Sequence, residues 1–263
     1  MAIKLLLEGT SVRSAERLTG LHREAILRLL VEAGKRCEVL MDRLIRNVPA
    51  TDVQADEIWG YVAKKEGHKR PDEYEDETIG DCWTWVALER NTKLVLAFAV
   101  GRRSLDKAFE LAHKLRRATN PNVRFQLTSD GLRAYRTAVD EILWDRCDFA
   151  QLIKFYSMPV MNEIRYSPAR MVEAMPVPQS GDPDPAKICT SHVERQNLTM
   201  RMQIRRLTRL TNAFSKKLEN HKAAVALHFA YYNFCRLHGT LRITPAMEAG
   251  ITDRVWNIAE LLA

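Results

Sequence analysis

Apolar residues in the first 48 positions recur at the three- and four-residue spacing of helices. The runs have their apolar positions at Ile3, Leu6 and Leu7, at Val12, Ala15 and Leu18, and at Ile26, Leu29, Leu30 and Ala33. Ser11 is a suitable N-cap for the second helix, and Gly20 lies in a turn before the third. The pattern predicts a small all-α domain over residues 1–48 with a helix-turn-helix arrangement.

From residue 49 the pattern changes to short apolar runs typical of strands, separated by helical spacing. The predicted strands are 53–62, 82–88, 93–100, 123–128 and 149–155, with helices over 104–118 and 132–142. This order predicts an α/β fold over residues 49–263, a mixed sheet flanked by helices. The all-α part and the α/β part are expected to be separate domains.

Two segments interrupt this alternation. Residues 66–81 carry seven acidic side chains and are expected to form an exposed loop. Residues 158–187 contain six prolines and are expected to be a mobile connection without regular structure.

Charge and cysteine usage narrow the class of protein. Forty Lys and Arg against 33 Asp and Glu leave a net charge of +7, which favours a polyanionic partner. The five cysteines are scattered, so neither a disulfide framework nor a zinc ribbon is expected, and a reducing cytoplasm suits the chain. Nothing approaches the roughly 20 apolar residues of a membrane span, so no membrane partner is expected.

Three acidic residues carry the candidate chemistry. Asp56 lies near the start of the first predicted strand, Asp130 directly follows the fourth, and Glu194 opens a basic helical pattern. A sheet could bring these carboxylates together as ligands of two Mg²⁺ ions about 4 Å apart, the arrangement used for phosphodiester cleavage. Glu57 competes with Asp56, but strand alternation directs it to the opposite face.

The helical pattern after Glu194 places basic residues beside it. On a continuous helix Arg201 and Arg205 lie roughly 20° on either side of Glu194, and Asn197 and Arg209 fall within about 60°. Arginine binds phosphate with two parallel hydrogen bonds, which favours DNA contact along this stripe. The alternative is a solvated basic face with an incidental Glu.

Further candidate DNA contacts lie elsewhere on the chain. The third helix exposes residues that could face a major groove, although a three-helix bundle with ordinary surface charge would present the same ones. The full candidate DNA-binding set is His22, Arg23, Arg28, Arg195, Asn197, Arg201, Arg205, Arg209, Lys216 and Lys217. Near the C-terminus, Asn233, Arg236 and His238 could touch DNA or brace the site.

The chain resembles the transposases of the insertion-sequence-one family, within the DDE transposase and retroviral-integrase superfamily. The resemblance is carried by EGTSVRSAERLTGLHREAILRLL, DVQADEIWGYVAKKE, LTSDGLRAY, HVERQNLTMRMQIRRLTRLTNAFSKKLENHKAA and YYNFCRLHGTLRITPAMEAG. It implies a ribonuclease-H-like fold, a metal-binding catalytic triad of Asp56, Asp130 and Glu194, and Arg201 as a DNA contact. Mg²⁺ would be the cofactor, with Mn²⁺ as a substitute.

The same resemblance implies the function and partners. We expect a transposase that binds the terminal inverted repeats of its own insertion sequence and cleaves and joins DNA strands by two-metal phosphoryl transfer. Its partners would be that double-stranded DNA, the target DNA and further copies of the chain in a homodimer or larger assembly. It would act in the bacterial cytoplasm at the nucleoid. The alternatives are a catalytically inactive DNA-binding regulator derived from a transposase, and a structure-selective nuclease on the same fold.

Overall fold

The computed structural model describes residues 1–157, 171–208 and 211–263. The helices are α1 (Ala2–Leu7), α2 (Val12–Thr19), α3 (Arg23–Leu44), α4 (Leu105–Ala118), α5 (Arg133–Ile142), α6 (Ser191–Gln203), α7 (Leu218–Phe234), α8 (Pro245–Glu248) and α9 (Ile258–Leu262). The strands are β1 (Asp52–Val62), β2 (Gly80–Glu89), β3 (Val95–Gly101), β4 (Phe125–Asp130), β5 (Cys147–Tyr156) and β6 (Met171–Ser180).

The strands form one mixed sheet in the order β3-β2-β1-β4-β5-β6. Strands β1, β2 and β3 pair antiparallel, whereas β1, β4 and β5 pair parallel, as in a ribonuclease-H-like sheet. Helix α5 reaches Glu57 on one face of β1, whereas α6 binds Gln54 and α7 lies close to Gly60 on the other. The predicted fold class, an α/β sheet flanked by helices, is confirmed.

The N-terminal helices begin and turn as the sequence predicts. The Ser11 side chain accepts a hydrogen bond from the backbone N–H of Ser14, and Gly20 ends α2 with a φ of 71°. Two predicted core positions are wrong, because Leu18 and Leu29 are 68% and 42% exposed. The use of α2 and α3 as a DNA-binding helix-turn-helix stays a prediction.

Helix α3 packs directly on α7. Gly34 lies at their crossing, where an added Cβ would come within 2.4 Å of the Ala223 Cα. The buried residues Leu30, Cys37 and Met41 of α3 belong to the same hydrophobic core as the sheet. The N-terminal helices therefore share a core with the α/β part of the chain.

The proline-rich segment is partly a strand, so the expected connection without regular structure is wrong for residues 171–180. These residues form β6, which pairs antiparallel with β5 at the sheet edge. Pro176 and Pro178 are tolerated there because an edge strand needs fewer backbone donors. The expectation for residues 158–170 lies outside the described residues.

The acidic segment 66–81 is anchored by a buried lysine. Lys69 is only 6% exposed, and its ammonium donates to the backbone carbonyls of Tyr74 and Asp76. It also pairs with Glu66, which accepts from the backbone N–H of Asp81. A buried cation thus holds this acidic loop against the start of β2.

None of the helices in the described ranges has the length and apolar character needed to cross a bilayer.

Candidate active site

Asp56 and Asp130 are brought together by the parallel pairing of β1 and β4. The pairing aligns Asp52 with Gln126 and continues to Ala55 and Ser129. The next step in this register places Asp56 beside Asp130. Asp130 ends its strand, and one of its oxygens accepts a hydrogen bond of 3.0 Å from the Leu132 backbone N–H. The predicted meeting of the two aspartates thus follows from strand register.

Glu57 joins this pair, although the sequence argument set it aside. One carboxylate oxygen from each of Asp56, Glu57 and Asp130 lies within 4.8 Å of the others. Alternation does direct Glu57 to the α5 face, where the Tyr135 hydroxyl donates to it over 3.0 Å. Its carboxylate nevertheless reaches towards the end of β4. The opposite-face position of Glu57 therefore does not keep its carboxylate away from the two aspartates.

Arg103 connects two of these carboxylates. Its Nε donates to Glu57 over 2.7 Å, and its guanidinium lies 3.7 Å from an Asp130 oxygen. The ring of Trp83 lies beneath the guanidinium at 4.8 Å. Arg103 supplies positive charge to the cluster and was missed by sequence reasoning, because it follows β3 with no pattern that points to the site.

The electrostatics of the cluster favour a cation. Burial, followed by the negative charges of Glu57 and Asp130, raises the pKa of Asp56 to about 7. Burial also raises the pKa of Glu57 and of Asp130. Clustered carboxylates repel one another unless a positive charge lies between them. Hard oxygen donors at this separation fit a divalent ion such as Mg²⁺.

Helix α6 is fixed to the sheet at its first turn. The Gln54 side-chain oxygen accepts from the backbone N–H groups of His192 and Val193 over 2.9 and 3.2 Å. One turn later, the Asn197 amide donates to Asp56 over 2.7 Å. The candidate Asn197 therefore contacts the acidic cluster directly.

Glu194 lies on this same helix but is not part of the three-carboxylate group. Its carboxylate is bound by the Lys154 ammonium and the Thr190 hydroxyl. Its charge is nevertheless close enough to raise the pKa of Asp56 and Asp130. Its side chain is 44% exposed, so it borders the cluster from the solvent side. Its role as a metal ligand stays a prediction.

The basic stripe predicted along α6 is interrupted. The helix ends at Gln203, and Arg205–Leu207 form a 3₁₀ turn. Ile204 and Leu207, at the two ends of this break, lie in the core at 4% and 2% exposure. Arg205 is therefore not on the Glu194 stripe, and Arg209 lies outside the described residues.

Arg201 holds the backbone together at this break. Its guanidinium donates to the Leu207 carbonyl over 2.9 Å and to the Trp59 carbonyl over 3.5 Å. The Thr208 hydroxyl donates to the Arg201 carbonyl over 3.1 Å. These bonds fix Arg201 beside β1, and its predicted contact with DNA remains to be tested.

The remaining DNA candidates lie on the surface. The structure exposes His22, Arg23, Arg28, Arg195, Lys216 and Lys217. Of the C-terminal candidates, Asn233 is fully buried and brackets Val95, accepting from its N–H over 3.0 Å and donating to its carbonyl over 2.9 Å. Asn233 therefore braces the edge strand β3 and is not available to DNA.

The strand order and the acidic cluster at the junction of β1 and β4 define a ribonuclease-H-like protein with a carboxylate centre. Residues 184–235, about a fifth of the chain, match the family model described as IS1 transposase. This segment contains Glu194, Asn197 and Arg201. The resemblance to the insertion-sequence-one transposases is confirmed by this match. No curated protein to which the sequence was compared matches it.

Solved structures give distant similarities. One is a pre-cleavage Mos1 transpososome, at 12% identity over 56% of this chain and 57% of that chain, with a TM-score of 0.26. The Mos1 strand transfer complex shows 14% identity over 56% of each chain and a TM-score of 0.24. The Mos1 mariner paired end complex with Mn shows 13% identity over 56% of each chain and a TM-score of 0.25. The chain thus spans little more than half of each relative, and these TM-scores are too low to support a statement about function.

Proposed function

We propose that the chain is a DNA transposase whose carboxylate cluster cuts and joins DNA strands. The observation that carries this proposal is the convergence of Asp56 and Asp130 with α6, the helix that lies in the family-matched segment. Neither aspartate belongs to that segment. Strand pairing brings the two aspartates together, and the contacts of Gln54 and Asn197 hold α6 beside them.

Asp56, Asp130 and Glu194 are the proposed metal ligands, with Glu57 as a fourth carboxylate beside them. Bound Mg²⁺, or Mn²⁺ in its place, would neutralise the carboxylates, activate the attacking oxygen and stabilise the leaving one. Asn197 orients Asp56 through its hydrogen bond. Arg103 and Lys154 balance the acidic charge and could move to phosphate oxygens when DNA arrives.

The proposed reaction has two displacements at one site. Water attacks the phosphodiester at the end of the element, breaks its P–O3′ bond and releases a 3′-hydroxyl. That hydroxyl then attacks a phosphodiester of target DNA, joins to its phosphorus and displaces a 3′-hydroxyl of the target. The exposed His22, Arg23 and Arg28 of the N-terminal helices would bind the terminal inverted repeats. Holding two ends together requires at least a homodimer. The bacterial cytoplasm, at the nucleoid, is the proposed location.

Strand cleavage of a duplex that carries the element end tests this function. In the presence of Mg²⁺, Asp56→Asn, Asp130→Asn and Glu194→Gln should each lower cleavage at least a hundredfold while duplex binding persists. Glu141→Gln is the matched control, because Glu141 is an exposed acid on α5. Folded triad variants that cleave like wild type would overturn the proposal.

One observation favours a second candidate, the inactive DNA-binding regulator. Glu194 is held by Lys154 and Thr190 outside the three-carboxylate group. If Glu194 keeps this contact when DNA is bound, it does not join Asp56 and Asp130 as the third metal ligand. Tight duplex binding by wild type, with no cleavage at any Mg²⁺ or Mn²⁺ concentration, would be the result for that function.

A further inference from the structure

A large cleft separates the N-terminal helices from the connection between α6 and α7, away from the carboxylate cluster. Its volume is about 930 Å³. One wall comes from α1, α2 and the first turns of α3, and the other from residues 203–206, 211–216 and the inner side of α7. A cavity of this size is ample for a ligand of several hundred cubic ångströms.

The charge of the lining is strongly one-sided. Among the described residues that line the cleft, the charged ones are Arg13, Arg23, Arg205, Arg206 and Lys216, which are basic, and Glu24, which is acidic. A concave surface lined by one sign of charge concentrates ions of the other sign. The lining therefore selects an anion.

Arg206 is half-buried, whereas Arg13, Arg23, Arg205 and Lys216 are exposed. Burial, with no contribution from a neighbouring carboxylate, lowers the pKa of its guanidinium to about 10. Within the described ranges, no acidic side chain pairs with it. A half-buried charge is less well solvated than an exposed one, and an anion in the cleft would supply a partner for it.

His228 adds an independent polar group at the cleft. It is 2% exposed, and neither ring nitrogen has a hydrogen-bond partner among the described residues. Its ring stacks on Tyr232 at 6.4 Å, and it lines the cleft from α7. An imidazole N–H left unpaired in a native interior needs a partner, and an acceptor oxygen in the cleft would provide one.

Helix starts reinforce the preference for an anion. Ser11, Val12 and Arg13 at the start of α2, and Arg23 and Glu24 at the start of α3, all line the cleft. The first turns of helices carry partial positive charge from unpaired backbone N–H groups. Both helices thus present their positive ends to the same space as the arginines.

We propose that this cleft seats phosphates of the DNA backbone, with Arg206 and Arg13 as the principal contacts. Leu6 and Leu27, which are half-buried in the lining, would pack against the deoxyribose. The inference rests on the proposed function, since it assigns a second contact surface for the same DNA. It adds a site between the N-terminal helices and the catalytic part, separate from any base contacts by His22 or Arg28.

Binding of a 20-base-pair fluorescent duplex to the full-length protein, measured by anisotropy in EDTA, tests the cleft without chemistry at the carboxylates. Arg13→Gln and Arg206→Gln should each weaken binding about fivefold to tenfold at fixed salt. The double variant should lower the slope of log K against log salt by roughly 1 to 2, because each lost phosphate contact removes about 0.9. Arg117→Gln, an exposed arginine on α4, is the matched control and should bind like wild type.

Folding and the source of the phosphate are controlled separately. Arg206→Lys keeps the charge and should bind more tightly than Arg206→Gln, and exposed Arg13 can be changed without disturbing the core. Wild-type affinity and slope in all cleft variants would overturn the proposal. So would cleft-dependent binding of dAMP with unchanged duplex affinity, which would identify a free nucleotide as the ligand.

The two proposals fail in different ways. Asp56→Asn should keep cleft-dependent duplex binding and lose cleavage. If the cleft variants bind duplex normally while Asp56→Asn still loses cleavage, the cleft is wrong and the transposase function stands. If Asp56→Asn cleaves normally, the function is wrong whatever the cleft binds.

Discussion

His221 shows how burial fixes the protonation state of one residue. The side chain is fully buried on α7, and its Nδ1 lies 3.4 Å from the Ser215 hydroxyl. Burial, followed by the positive charge of Arg206, lowers its pKa to about 4. An unfolded histidine has a pKa near 6.5, so the unfolded chain takes up a proton at a pH where the native chain does not.

This difference predicts a loss of stability on acidification. Stability from the neutral His221 is full above about pH 6.5 and falls as the pH drops towards 4, because protons favour the unfolded state. Between pH 7 and pH 4.5, His221 should account for roughly 2 kcal/mol of the fall in unfolding free energy. Urea unfolding at both pH values measures this fall in unfolding free energy. The fall should be smaller by that amount in His221→Gln, and an equal fall in both proteins would contradict the assignment.

At the scale of elements, apolar patterning predicted most of the sheet and missed its exceptions. Strand β1, predicted over 53–62, spans Asp52–Val62, and β3 differs by two residues at its start. Strand β6 was missed because its prolines break the expected pattern, and their tolerance depends on an edge position that only the assembled sheet defines. The end of α6 at Gln203 was missed because a helical projection assumes that the helix continues.

The close crossing of α3 and α7 leaves no space for a side chain at Gly34, and the effect of adding one on stability can be measured. Alanine is normally about 1 kcal/mol better than glycine inside a helix. A Cβ on Gly34 would lie 2.4 Å from the Ala223 Cα and 2.6 Å from its carbonyl oxygen. Backbone atoms cannot move aside as a flexible side chain can, so Gly34→Ala should lower the unfolding free energy by about 1–3 kcal/mol.

Gly67→Ala is the control for this substitution. A Cβ at Gly67 would meet no atom within 4 Å, and its change in stability should stay within about 0.5 kcal/mol. Chemical denaturation of both variants gives the comparison. Equal stability of Gly34→Ala and wild type would show that the two helices are farther apart than described.

At the scale of the whole molecule, the N-terminal helices and the sheet unfold together if their shared core governs stability. Leu30, Cys37 and Met41 lie in one hydrophobic cluster with residues of the sheet. Calorimetry should therefore show one transition with matching calorimetric and van't Hoff enthalpies. Two separated transitions would favour independent domains over 1–48 and 49–263, the division expected from the sequence.

The candidate site was predictable only in part. Asp56 and Asp130 could be placed together because both lie on strands whose parallel pairing follows from the order of elements. Glu57, Arg103 and Lys154 could not, because their approach depends on side-chain reach across separate elements. The sequence argument from alternation placed the Glu57 Cβ correctly and misjudged where its carboxylate ends.

The central claim is that the carboxylates of Asp56, Asp130 and Glu194 form one metal site when DNA is bound. Titration of Mn²⁺ into the protein–DNA complex, followed by electron paramagnetic resonance, tests it directly. Wild type should bind Mn²⁺, and Asp130→Asn and Glu194→Gln should each weaken that binding at least tenfold, while Glu141→Gln does not. Unchanged Mn²⁺ binding by folded Asp130→Asn and Glu194→Gln complexes would contradict the account.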